Sequence, residues 1–147
     1  MGDDESTTSD NRESALYKIV HSWVKPEQSF DEEIFQQLIK CIRYALKISC
    51  HSDEINSTYC LLPTIIYANR FIKKKYDTIH KDQIVEVMIA CAVLSIKMMN
   101  DSGVNLEAMA FLSGFTQKEL VEMERNLLMS LNYQLFIDPK EIENLSM

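Results

Sequence analysis

The stretch Ala92–Asp101, AVLSIKMMND, sets a lysine inside an apolar run. An ammonium in such surroundings costs on the order of several kcal/mol unless it reaches water, meets an anion, or is aimed at another molecule. The carboxylate best placed to answer it is Glu124, which falls among Met123, Leu127 and Leu128. Two uses of such a pair are open. It can be an internal ion pair joining two helices, or the polar border of an apolar patch that hydrogen-bonds a second protein. Polar groups at the edge of a hydrophobic centre give an interface its register and specificity. Catalysis has weaker support. Cys50-His51 with Asp53 is the best local candidate, and such neighbours rarely converge productively on a helix end. His21 and His80 stand isolated. The eight methionines, Met98, Met99, Met109 and Met123 among them, suit core packing or an adaptable protein-binding face better than a metal site. The expectation is a non-enzyme with no cofactor, no metal and no small-molecule substrate.

Composition narrows the class. The chain has 147 residues, a formal charge of −7, and only three glycines and three prolines. Low Gly and Pro with abundant Leu, Ile, Met, Lys and Glu favours helices over a turn-rich β fold. The charge is uneven, because residues 1–13 alone carry −4. An acidic chain is a poor polyanion binder, so nucleic acid is not an expected partner. The basic cluster Lys73-Lys74-Lys75 reads as a solvated helix end, where cations complement the helix dipole. The four cysteines Cys41, Cys50, Cys60 and Cys91 form no CxxC pair, and no signal peptide precedes them. Three lie among apolar neighbours and read as reduced core residues of an intracellular protein, cytoplasmic or nuclear. Lys97 and Glu86 interrupt the most apolar stretch, so no membrane span is expected.

These groups need elements to hold them. Residues 1–13 lack apolar residues after Met1 and read as a disordered acidic tail. Leu16, Ile19, Val20 and Trp23 recur at i, i+3, i+4 and i+7, which predicts a short amphipathic helix within 14–28, closed by Pro26. Ser29-x-x-Glu32 has the form of a capping box opening a helix whose stripe is Ile34, Phe35, Leu38, Ile39, Ile42 and Leu46. A loop is expected over 51–58. The helix LLPTIIYANRFIKKK should start close to Cys60, since Pro63 fits poorly in mid-helix. Asp82 is the expected cap of QIVEVMIACAVLSIKMMN, which is apolar on all faces and belongs at the centre of a bundle. Asn105 should cap a short helix that Gly114 ends. Thr116-x-x-Glu119 should open the helix QKELVEMERNLLMSL, with Asn132 ending it and an extended YQLFI after it. Asp138-Pro139 can start one last turn in a 138–147 tail. No repeat or strand-period segment is present, and the expected fold is an all-α bundle around one buried helix.

LLPTIIYANRFI, CAVLSIKMMND and ELVEMERNLLMSLNYQLFI, in this order and spacing, resemble a cyclin box, the five-helix module of the regulatory subunits of cyclin-dependent kinases. The resemblance spans about residues 31–137, within an expected box of 29–137. Its skeleton is Tyr67-x-x-Arg70-Phe71, Lys97, Glu124, Leu127, Leu128, Tyr133 and Leu135. Asp101, Asn105, Ala110 and Gly114 are similar to the hallmark of the phosphate-pathway (P- or U-type) cyclins. The resemblance implies that Lys97 and Glu124 hydrogen-bond backbone groups beside the kinase's movable C-helix. It also implies that Leu94, Met98, Leu128, Tyr133 and Leu135 form a groove for that helix. The expected partner is a cyclin-dependent protein kinase, and a cyclin-fold adaptor for a non-kinase protein is the alternative. Asn69 stands where the family usually has Asp, so the charge pair with Arg43 should weaken to a hydrogen bond. Ser49 replaces a docking-patch tryptophan on the helix carrying IRYAL, which argues against substrate docking there. Ten residues after Ile137 are too few for a second helical repeat, so a single box is expected.

Overall fold

The structure, a computed structural model, describes residues 14–49, 57–99 and 103–146. Seven α-helices account for it: α1 (14–21), α2 (Glu32–Ser49), α3 (Ser57–Lys75), α4 (Ile84–Met99), α5 (Leu106–Ser113), α6 (Gln117–Ser130) and α7 (Pro139–Ser146). A single 3-10 turn, Lys81–Gln83, precedes α4. Val24 and Ile79 form an isolated β-bridge. None of these helices is long and apolar enough to cross a membrane. The expected disordered tail at 1–13, most of the 51–58 loop, and Asp101 lie outside the described residues.

Helix α4 is the axis. Every residue from Met88 to Ile96 is buried, as expected of a helix with no polar face. Each large side chain so enclosed contributes roughly 1.5–3 kcal/mol relative to exposure. α2, α3, α5 and α6 surround α4, and the five helices make one bundle, with Tyr17 of α1 packed edge-on against Phe35 of α2. α2 presents Phe35, Leu38, Ile39, Ile42 and Leu46 of the expected stripe to the interior, whereas Ile34, in the first turn, is exposed.

Helix ends follow local chemistry, with three departures from expectation. Asn105 caps α5 by accepting from the Ala108 amide, and Gly114 ends it in the left-handed conformation. Thr116 and Glu119 form the expected capping box on α6. At the other end of α6 the Tyr133 amide donates to the Leu128 carbonyl and the Asn132 amide to that of Met129. With Asn132 at φ 54°, this is a Schellman closure, so Asn132 stops the helix as read from sequence. α2, however, is capped by Asp31, whose carboxylate accepts from the Ile34 amide, and not by Ser29. His80, not Asp82, caps the turn leading into α4, its Nδ1 accepting from the Asp82 amide and its own amide donating to Gln83. α3 starts at Ser57 and runs through Pro63, which has no N–H for the carbonyl four residues back. Beside that break the Cys60 carbonyl accepts two hydroxyls, Thr64 Oγ1 and Ser95 Oγ, each at 2.8 Å. The Thr64 bond lies within α3, and the Ser95 bond ties α3 to α4 where the helix is weakest.

Two of the cysteines expected in the core, Cys60 and Cys91, are there, whereas Cys41 is exposed and Cys50 lies outside the described residues. Burial pushes the Cys91 thiol far above its usual range and keeps it protonated and inert.

Candidate functional site

α4 ends its buried run at Ile96, and Lys97 and Met98 are the first side chains to emerge into solvent. Leu120, Glu124 and Leu127 face α4 from α6 with one-turn spacing, which brings Glu124 to the end of α4. The Lys97 ammonium donates to Glu124 Oε2 at 2.7 Å. The pair is lopsided: the lysine side chain is 40% exposed and the carboxylate 10%. The expectation that both charges look outward therefore needs correction. Glu124 is held under the lysine, and Lys97 alone reaches water, offering its remaining N–H bonds outward. An ammonium has three donors, so one bond to Glu124 does not exhaust it.

The apolar residues expected to line a groove divide. Met98 and Tyr133 are exposed, and Leu128 and Leu135 are half-buried against the core. Leu94 is 2% exposed and belongs to the core, so it supports this face from behind and cannot line it. Its position one turn before Lys97 is covered because α4 is enclosed on every side up to Ile96. Two grooves on the surface of the described residues include none of Lys97, Glu124, Leu94, Met98 and Leu128. One, about 450 Å³, lies between α3, α4 and α6 with Val87, Ala90, Met123 and Leu127 on its walls. The other borders the segment after α6 and is lined in part by Tyr133 and Leu135.

The segment 131–136 is fixed from below. The Tyr67 hydroxyl donates to the Leu135 carbonyl at 2.8 Å. Burial pushes the pKa of this phenol up, partly offset by the Arg70 guanidinium, so the donor stays protonated at neutral pH. Arg70 donates to the Phe136 carbonyl at 3.0 Å and forks onto both carboxylate oxygens of Glu141. Glu141 also accepts from the Asp138 amide, so the expected last turn is a two-turn helix docked on α3. Replacing Tyr67 by Phe should lower stability by about 1 kcal/mol, the usual worth of one such bond. Amide exchange at 133–136 should quicken in the same variant. Unchanged exchange there would mean that Tyr67 does not position the segment.

Of the other residues the resemblance singled out, Asn105 is the α5 cap and its amide also donates to the Ser49 carbonyl at 2.7 Å. Arg43 is half-buried on α2. The expected Arg43–Asn69 hydrogen bond is replaced: Asn69 Oδ1 accepts from the Trp23 indole at 2.8 Å. An uncharged amide suits an indole donor from the N-terminal segment, which the helix spacing alone could not place. Sequence reasoning also missed Phe111 and Phe136, large aromatics left in solvent, the latter 79% exposed. An aromatic in an otherwise polar or loop context was the available signal for Phe136. Among the described residues no group of three His, Cys, Asp or Glu could hold a metal.

A family model for the cyclin N-terminal domain matches residues 24–136. Comparison with curated proteins and with solved structures finds no match. The match covers most of the chain and the whole α2–α6 bundle, together with Lys97, Glu124 and the segment after α6, and this chain belongs to the cyclin family.

Proposed function

We propose that this cyclin-type regulator binds and activates a cyclin-dependent protein kinase by docking on the kinase's C-helix, and that it is of the phosphate-pathway (P- or U-type) kind. The observation that carries the reading is the emergence of Lys97 at the end of α4, anchored by Glu124 and followed by the exposed Met98. A half-exposed ammonium with donors to spare suits carbonyls at the end of a partner helix. The apolar residues beside it suit the helix's apolar face. Activation follows from selection. A kinase needs its C-helix glutamate paired with the ATP-site lysine, and a partner that binds only that arrangement stabilises it by its differential affinity. A preference of about 3 kcal/mol moves such an equilibrium more than a hundredfold. The subfamily reading rests on Asn105 and Gly114, which bracket α5, together with Ala110 and Asp101.

The test is purification of the native protein with whatever it carries, followed by mass spectrometry and a histone-type phosphorylation assay. A co-purifying kinase whose activity depends on this chain is the expected result. Recovered partners without kinase activity would instead support an adaptor.

A further inference from the structure

The basic cluster at the end of α3 is exposed, as expected of a solvated helix end, and two of its lysines border a groove. Arg70, Lys73 and Lys74 line one side of a groove of about 900 Å³, and Leu131, Tyr133, Gln134, Leu135 and Phe136 form the other. No acidic residue lines it, although the chain carries −7 overall. Arg70 is committed to Glu141 and to the Phe136 carbonyl. Lys73 donates to the Ser22 carbonyl at 2.9 Å and lies 3.6 Å from the exposed Asp77. Lys74 makes no ion pair among the described residues. The groove thus keeps cationic capacity at Lys74 and part of that at Lys73. Its opposite wall is unusual too. Tyr133 holds a left-handed backbone at φ 58°, directly after Asn132 at φ 54°. For a bulky residue that conformation costs about 1–2 kcal/mol, and here it accompanies an aromatic ring turned into solvent.

We propose that this groove docks a short acidic segment of a partner protein, with carboxylates on Lys73 and Lys74 and an apolar side chain between Tyr133 and Phe136. Charge complementarity selects the sign of the occupant, since this is an acid-free concavity on an acidic chain. The apolar wall selects a peptide over a nucleic acid, which the surrounding negative charge would also repel. Tyr133 and Leu135, which the cyclin resemblance assigns to the partner-binding set, line this groove. The inference needs only a protein partner and does not depend on that partner being a kinase.

The test uses the full chain and a fluorescein-labelled peptide, Glu-Asp-Phe-Glu-Asp-Leu, followed by anisotropy at low salt. Saturable binding is expected, with a K73E/K74E variant at least about tenfold weaker and Phe136→Ala several-fold weaker. Lys97→Ala should leave this binding unchanged, which separates failure here from failure of the kinase reading. Equal binding of the counterpart with Lys at every acidic position, or unchanged affinity in both groove variants, would overturn the proposal. Displacement by an oligothymidylate at matched charge would overturn it in favour of general polyanion attraction. Tighter binding of a peptide of residues 1–13, or Lys73-dependent dimerisation in sedimentation, would assign the groove to this chain itself and equally overturn it.

Discussion

Lys97→Ala should cost the proposed complex with a kinase at least about a hundredfold in affinity, because truncating one member of a hydrogen-bonded charge pair that a partner desolvates typically loses 2–5 kcal/mol. The same substitution has a second effect that follows from the lopsided burial. It leaves the Glu124 carboxylate, 10% exposed, without the ammonium that compensates it. A buried unpaired charge is strongly destabilising, but here one partner was already 40% exposed, so a loss of about 1–2 kcal/mol is the appropriate scale. Glu124→Gln should cost less stability, since the amide keeps the shape and an acceptor for Lys97. The informative variant is the double change Lys97→Met with Glu124→Gln, which removes both charges and keeps the packing. Its stability should return close to the parent value while binding stays lost. Should the double variant recover binding, or should each single variant lose binding only as far as it unfolds, the pair is an internal stitch and the interface reading fails. Thermal melts beside a co-purification assay supply both numbers.

What the sequence disclosed about this region, and what it withheld, follows from the range of the forces involved. Caps act over three or four residues, so Asn105 with Gly114 and Thr116 with Glu119 could be read directly. Where several polar residues compete for one cap the choice depends on the incoming chain direction, and Asp31 and His80 displaced Ser29 and Asp82. The apolar residues on every face of α4 declared its central place. Burial at the rim is another matter. Spacing says which face of a helix a residue occupies, but not whether a neighbour from elsewhere covers that face. Leu94 and Glu124 are covered, and Met98 is not. The same limit explains Asn69. Its partner Trp23 lies 46 residues away, and no local pattern could choose between that indole and Arg43. The left-handed Tyr133 was also hidden, because Asn132 alone suffices to end a helix, and nothing in YQLFI demands a second residue of that kind.

The N-terminal segment gives the other large effect. Trp23 is fully buried, and with Leu16, Val20 and Val24 it extends the core beyond the five-helix bundle. The segment is tied down at several points. The Ile79 amide donates to the Trp23 carbonyl at 2.7 Å, the Lys25 amide to the Ile79 carbonyl at 3.2 Å, and the Tyr17 hydroxyl to the Phe30 carbonyl at 2.9 Å. Trp23→Ala should therefore destabilise the protein by about 3–5 kcal/mol, the usual cost of emptying a large aromatic site, with the Asn69 acceptor left without its indole. Since small domains hold only about 5–15 kcal/mol in reserve, the variant should be largely unfolded at modest urea. Trp23→Phe keeps most of the volume and loses the indole donor, so it should fall between the two. The comparison decides whether α1 is part of the domain or an accessory. A single cooperative transition that shifts with Trp23→Ala makes 14–30 integral to the bundle. A separate early transition, with the α2–α6 helices melting at the parent midpoint, would make it a detachable strap. The consequence reaches the proposed interface through α3. Asn69 is the residue next to Arg70, and Arg70 holds the 131–136 segment that carries Tyr133 and Leu135. Loosening Trp23 should therefore weaken partner binding more than Phe136→Ala does, even at temperatures where the bundle remains folded.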